Sequence, residues 1–223
     1  SNAAGEDFWN EVTRVTEKPV NRVMRSFVDQ PGAPVLSVST SCVGGQTKVT
    51  VRQRRFDSGV GAKPSAPQAW SLPVCVKTDT GKTTCELVSD STQSFNAPGC
   101  GAAMVNADAR GYYITEYEPA ALTALATRTP PLTGAEKVSL LGDEWRLVRA
   151  GRHDVGTFLD RAAAFAADTT PSVTSDIAGR VGIRPRLFIG REPPARLGGE
   201  RLHLGEIGAV AGRVRLRIID EGK

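Results

Sequence analysis

Histidine is scarce in this chain. His153 and His203 are the only two in 223 residues, and none of the four cysteines stands in C-x-x-C spacing. A zinc site is normally assembled from closely spaced Cys and His ligands, so no zinc-ligand set is legible. No apolar run approaches the roughly 18 residues a spanning helix requires, so no membrane span is expected. Gly81-Lys82-Thr83 ends like a phosphate-binding loop, but Val76 stands where that loop needs its first glycine, and a hairpin turn is the better reading. Arg52, Arg54 and Arg55 are clustered, yet alternate strand side chains point to opposite faces, so nucleic-acid binding is not expected of them. His153 beside Asp154 would suit acid–base chemistry, but the sequence sets no Ser or Cys nucleophile near it. It reads instead as a solvated residue after a helix stop at Gly151. His203 receives no role. The residues therefore supply no catalytic, cofactor-binding or metal-binding candidates of their own.

What is present is an ordinary globular composition, 40% hydrophobic and 23% charged, which excludes a disordered chain. The net charge of +4 is unevenly spread. From Arg180 onward ten basic residues face five acidic ones, leaving 18 of the 28 basic and 19 of the 24 acidic residues in the rest. Basicity belongs to the tail, where it could serve acidic partners or simply be solvated. Cys75 and Cys85 flank the turn Thr78-Asp79-Thr80-Gly81-Lys82 almost symmetrically, so they face each other if the segment is a hairpin. Two readings stand: disulfides Cys75–Cys85 and Cys42–Cys100, or four buried thiols. The first implies an oxidising compartment, periplasmic or secreted.

Along the chain, Ser1-Asn2-Ala3 reads as the scar of a removed tag. Residues 8–30 read as one helix, with Pro19 in the first turn of its second half and Val20, Val23, Met24, Phe27 and Val28 forming one apolar stripe. Pro31-Gly32-Ala33-Pro34 stops it. The period then changes to two. Strands are expected over 35–40 and 47–56, joined at Val43-Gly44-Gly45-Gln46, and over 70–77 and 83–88, with a turn-rich link at 95–100. The stretch 106–117, NADARGYYITEY, runs from turn residues into a last strand. After Pro119 the pattern is helical: 120–127, a helix opened by the capping box Thr133-Gly134-Ala135-Glu136, then 157–167 and a start at 171–177. In the tail only 214–218 looks like a strand. The expected fold is mainly β with α flanks: an antiparallel β-sandwich preceded by one helix and followed by a small helical segment.

Three segments, in order, resemble the membrane alanyl aminopeptidase family of zinc-dependent gluzincins. VMRSFVDQPGAPVLSV (23–38) is similar to the end of the family's catalytic domain. VTVRQRRF (49–56) with WSLPVCV (70–76) resembles its β-sandwich, where a "Q-x-R-F" strand precedes "W-x-I-P-V". RGYYITEY (110–117) with LLGDEWRLVRAG (140–151) resembles its "G-Y-Y-R-V-x-Y" strand and the "D-x-W-x-L-x-x-A-G" helix that opens the helical domain. The resemblance implies a parent that removes N-terminal residues from peptides using zinc. Its H-E-x-x-H helix, third glutamate ligand and substrate loop would lie upstream of Phe8, so no site residue is carried over. This piece would then be non-catalytic, inactive alone, and partnered by the remainder of its own chain. Its parts would be 1–32, the tag scar and terminal helix of the catalytic domain; 33–118, the sandwich; 119–180, the start of the helical domain; and 181–223, an Arg/Gly-rich tail. That tail departs from the paired helices the family continues with, as a frameshift in a GC-rich gene would produce. The alternatives are a free-standing sandwich for ligand binding or adhesion, and a non-catalytic relative acting as a scaffold.

Overall fold

The structure, a computed structural model, describes residues 4–59 and 68–182. Two helices lead, α1 (Gly5–Thr16) and α2 (Val20–Val28). Strands follow: β1 (Pro34–Val43), β2 (Gln46–Arg55), β3 (Leu72–Lys77), β4 (Thr83–Val88), β5 (Thr92–Pro98), β6 (Met104–Val105) and β7 (Ile114–Tyr117). Four helices close the described chain: α3 (Pro119–Ala126), α4 (Gly134–Arg149), α5 (Val155–Ala164) and α6 (Pro171–Val181). The fold is mixed, sheets flanked in sequence by helices. The expected tail strand over 214–218 lies outside the described residues, as does His203.

The strands form a four-stranded sheet in the order β5-β2-β1-β7 and a three-stranded sheet in the order β4-β3-β6. In β2 every second residue is buried, Thr47, Val49, Val51 and Gln53, so one face packs inward and the other is wet. Leu36, Val38, Val49 and Val51 of the first sheet share one core with Leu72, Val74, Val76 and Val88 of the second, around a fully enclosed Trp70. That core continues without a break into Leu122, Leu125, Leu140, Leu141, Phe158 and Val173 of the helices. Val35 and Ile114, on the other face of the first sheet, are covered by Leu147 of α4. Helix α4 is therefore built into the sheet edge.

Three sequence expectations need correction. The single helix over 8–30 is two helices, because Glu17 adopts a left-handed conformation and Pro19, which caps α2, has no N–H to continue the ladder. The link at 95–100 belongs largely to strand β5, which pairs with β2 from Thr47↔Ala97 to Arg52↔Thr92. The last strand is short and joins β1 in parallel, Val35↔Ile114 to Val38↔Tyr117, so the first sheet is mixed, not purely antiparallel. The two-residue turn at Gly44-Gly45 is as expected, both glycines having the positive φ that such a hairpin requires. Both disulfides are formed, Cys75–Cys85 directly across the β3–β4 ladder and Cys42–Cys100 from the end of β1 to the loop after β5.

Candidate functional site

The residues that carry the sequence motifs converge where the two sheets meet the helices. Gln53 occupies an inward position between apolar neighbours, where an amide must find partners or destabilise the core. It does: its Nε2 donates to the carbonyls of Trp70 (3.0 Å) and Asp90 (2.9 Å), and its Oε1 accepts from the Trp70 amide (2.8 Å). The strand motif and the tryptophan motif are thus two halves of one fastening between the sheets. Gln53→Leu, which keeps the shape but strands these three backbone groups, is expected to cost about 1–3 kcal/mol in urea unfolding.

The stretch 106–117 makes the next fastening. Asn106, Asp108 and Ala109 all have positive φ, a turn held by the Asn106 side chain, which accepts from the Gly111 amide at 2.6 Å and donates to its carbonyl at 3.2 Å. A Cβ at Gly111 would lie 2.2 Å from the Tyr113 ring, so only glycine fits there. Tyr117, enclosed in the core, accepts from the Val105 amide (2.8 Å) and donates to its carbonyl (3.2 Å), fixing β7 to β6 of the other sheet. Burial pushes its phenol well above the ordinary range.

Helix α4 grips β7 through Asp143, and the next carboxylate, Glu144, holds His153 of the α4–α5 connection. Asp143 accepts from the amide (2.9 Å) and hydroxyl (2.8 Å) of Thr115. Burial raises its carboxyl to about 6, against the pull of Thr115 and Arg146. Glu144 accepts from His153 Nδ1 at 2.8 Å, and His153 Nε2 stands 3.8 Å from Glu116 Oε1. Glu116 also receives Arg54 (2.6 Å), Arg152 and the Ser37 hydroxyl (2.6 Å). The hydrogen bond to Glu144 holds His153 above its usual range, assisted by the charges of Glu116 and Glu118 and opposed by burial. At the other end of the joint Glu136 is fully enclosed. It meets Lys77 at 2.5 Å and accepts from the amides of Thr133 (2.8 Å) and Asp108 (3.1 Å), closing the expected capping box.

His153 is therefore not the solvated residue that its position after Gly151 suggests. Asp154 is no acid–base partner for it, since the Asp154 carboxylate caps α5 by accepting from the Gly156 amide at 2.7 Å. Lys82 is exposed in the β3–β4 turn, Arg54 is taken by Glu116, and Arg52 is exposed. The residues do not fit the zinc that the resemblance implies. Two guanidinium groups already lie against Glu116, where they would repel a metal ion, and among the described residues no cluster of three or more His, Cys, Asp or Glu is placed to hold one. A cleft of about 620 Å³ lies beside the joint, walled by Tyr112, Ser139, Asp143, Arg146 and Arg180. Its arginines are matched by Asp143 (3.2 Å) and Asp176 (2.7 Å). The joint is built of charge pairs and hydrogen bonds between elements. What it can do is hold. Sequence reasoning missed Gln53, Glu116, Asp143 and Glu144 as functional residues. The available signal was polar groups set at apolar positions of a strand or helix.

Residues 103–196 match the ERAP1-like C-terminal domain family, reaching past Arg180 into the tail. The chain is 30% identical over 178 residues to puromycin-sensitive aminopeptidase of Caenorhabditis elegans, covering 75% of this chain and 18% of that protein. It is 27% identical over 180 residues to tricorn protease-interacting factor F2 of Thermoplasma acidophilum, covering 81% and 21%. With human glutamyl aminopeptidase it shares 31% over 164 residues, covering 67% and 16%. The chain spans about a fifth of the length of the curated relatives it matches. No helix among the described residues is long and apolar enough to cross a membrane.

Proposed function

We propose that this chain, an aminopeptidase-like fragment by its match to the ERAP1-like C-terminal domain family and its likeness to aminopeptidases over most of its length, is a non-catalytic structural part of a zinc-dependent aminopeptidase. Its sandwich, about 33–118, joins a catalytic domain before it to a helical domain that starts near 119. The parent would release N-terminal residues from peptides, with its zinc held by upstream residues. The observation that carries this reading is where the motifs meet: Gln53 with Trp70, and Thr115 with Asp143, are mechanical contacts between elements. The leading helices add support. Neither α1 nor α2 fully buries a residue, and Phe8, Val15 and Val28 are more than half exposed, as expected of surfaces that a neighbouring domain covers. A free-standing binding module would close its core and keep a polar surface, which those helices do not do. The two disulfides favour an oxidising compartment for the parent.

The test is an aminopeptidase assay on alanyl-p-nitroanilide with added zinc. The 223-residue chain alone is expected to be inert, and extending it through the upstream coding sequence is expected to confer activity lost on chelation. Zinc-dependent hydrolysis by the chain alone would overturn the proposal. So would an upstream sequence without an H-E-x-x-H helix.

A further inference from the structure

His153 sits in the α4–α5 connection with one ring nitrogen on each of two carboxylates from different layers. Nδ1 is within hydrogen-bonding distance of Glu144 on α4, 2.8 Å, and Nε2 faces Glu116 on β7 at 3.8 Å, too far for a hydrogen bond but close for a charge. The second contact therefore depends wholly on the proton. A charged imidazole turns an N–H toward the Glu116 carboxylate and attracts it. A neutral ring that keeps Nδ1–H on Glu144 turns a lone pair toward the same carboxylate and repels it. One proton reverses the sign of the link.

We propose that His153 is a proton-operated clasp between the helical layer and the first sheet. Charged, it binds Glu144 and Glu116 together and holds α4 on β7. Neutral, it stays with Glu144 and gives up its own hold on Glu116, leaving the layers joined by Arg152–Glu116, Asp143–Thr115 and the apolar contact of Leu147 with Val35 and Ile114. The other charged groups around the ring are Arg54 of β2 and Arg152 of the α4–α5 connection, both paired with Glu116, Arg161 of α5, which acts on Glu144, and Glu118 ahead of α3. The clasp concerns this chain alone and stands whether or not the bridging role above does.

The direction of the pH response follows. A histidine held above its ordinary 6.5 in the folded state contributes stability that is full below 6.5 and lost as pH rises through its folded value. Asp143 also favours the folded state toward acid, but between about 6 and its ordinary 3.8, below the window that His153 governs.

The experiment is urea unfolding of the intact chain between about pH 6 and pH 8.5, with NMR titration of the histidine ring protons. The wild-type midpoint is expected to fall as pH rises. In His153→Gln, which can donate to Glu144 but never carries charge, that slope is expected to flatten. The His153 signal, identified by its loss in that variant, is expected to titrate above 6.5 and to move down in Glu116→Gln, the variant that tests the second contact should His153→Gln fail to fold. Titration at or below 6.5, an unchanged slope in His153→Gln, or no movement in Glu116→Gln would each overturn the clasp.

Discussion

Replacing Glu136 with alanine is expected to lower the unfolding free energy by about 3–5 kcal/mol, because it removes one partner of an enclosed ion pair and leaves the other charged. The Glu136 side chain is fully buried and Lys77 is only 12% exposed, so water cannot take over. The same change also opens the capping box of α4 and frees the amides of Thr133 and Asp108. Glu136→Gln, which retains an acceptor, should cost less than alanine. Burial alone would raise this carboxyl, yet Lys77 and the two amides outweigh it and hold it below its ordinary 4.5. Its contribution is therefore full above 4.5 and lost as pH falls through the depressed folded value, so the wild type should lose more stability below pH 4.5 than the Gln variant. Urea midpoints at neutral and acidic pH measure both effects. A loss of under about 1 kcal/mol in the alanine variant, the size of an ordinary surface pair, would sink the argument.

The second large effect comes from the disulfides, which differ in the length of chain they close. Cys42–Cys100 spans 58 residues and Cys75–Cys85 spans 10. The loop-closure entropy withheld from the unfolded chain is worth about 4 kcal/mol for the first and about 3 kcal/mol for the second. Changing Cys42 and Cys100 together to serine should therefore destabilise more than the same change at Cys75 and Cys85. The two bridges also differ in what else holds their ends. The β3–β4 ladder pairs Cys75 with Cys85 whether or not they are bonded. The loop near Cys100 is otherwise held mainly by the Thr47 hydroxyl on the Gly99 carbonyl and the Gln46–Gly99 bridge. Thermal unfolding of both serine pairs under non-reducing conditions decides the order, and the reverse order would refute it.

Features set by neighbours in sequence were legible in advance. The Gly44-Gly45 turn, the box from Thr133 to Glu136 and the Cys75–Cys85 pairing each depend on residues no more than a hairpin apart. Alternation in β2 was equally readable, since its inward positions are reached every second residue. Features set by distant partners were not. β5 reads as a turn-rich link, with Ser94, Asn96 and Pro98 in it and Gly99 just after, because its strand character comes from lying beside β2. His153 reads as solvent-exposed because its partners come from elsewhere in the fold, Glu144 on the preceding helix and Glu116 on β7, 37 positions away. The short run of β7 does not reveal a parallel partner, as its direction is set by where the chain arrives after the turn at Asn106. The break after α1 is half legible, since Pro19 fits the first turn of a helix as well as it fits a break, and the left-handed Glu17 before it carries no sequence signal.

The parallel pairing of β1 with β7 also bears on how the molecule is made. Val35 reaches its partner Ile114 only after the intervening hairpins and the left-handed turn have been synthesised. Until then one edge of β1 is an open row of amides and carbonyls, with Val35 and Leu36 beside it, the kind of edge that invites pairing between chains. Contacts this far apart in sequence also slow a sheet's completion. Release of a nascent chain before Tyr117 would therefore yield an unfinished sheet, and the long edge of β1 is covered only when that sheet's last, shortest strand arrives.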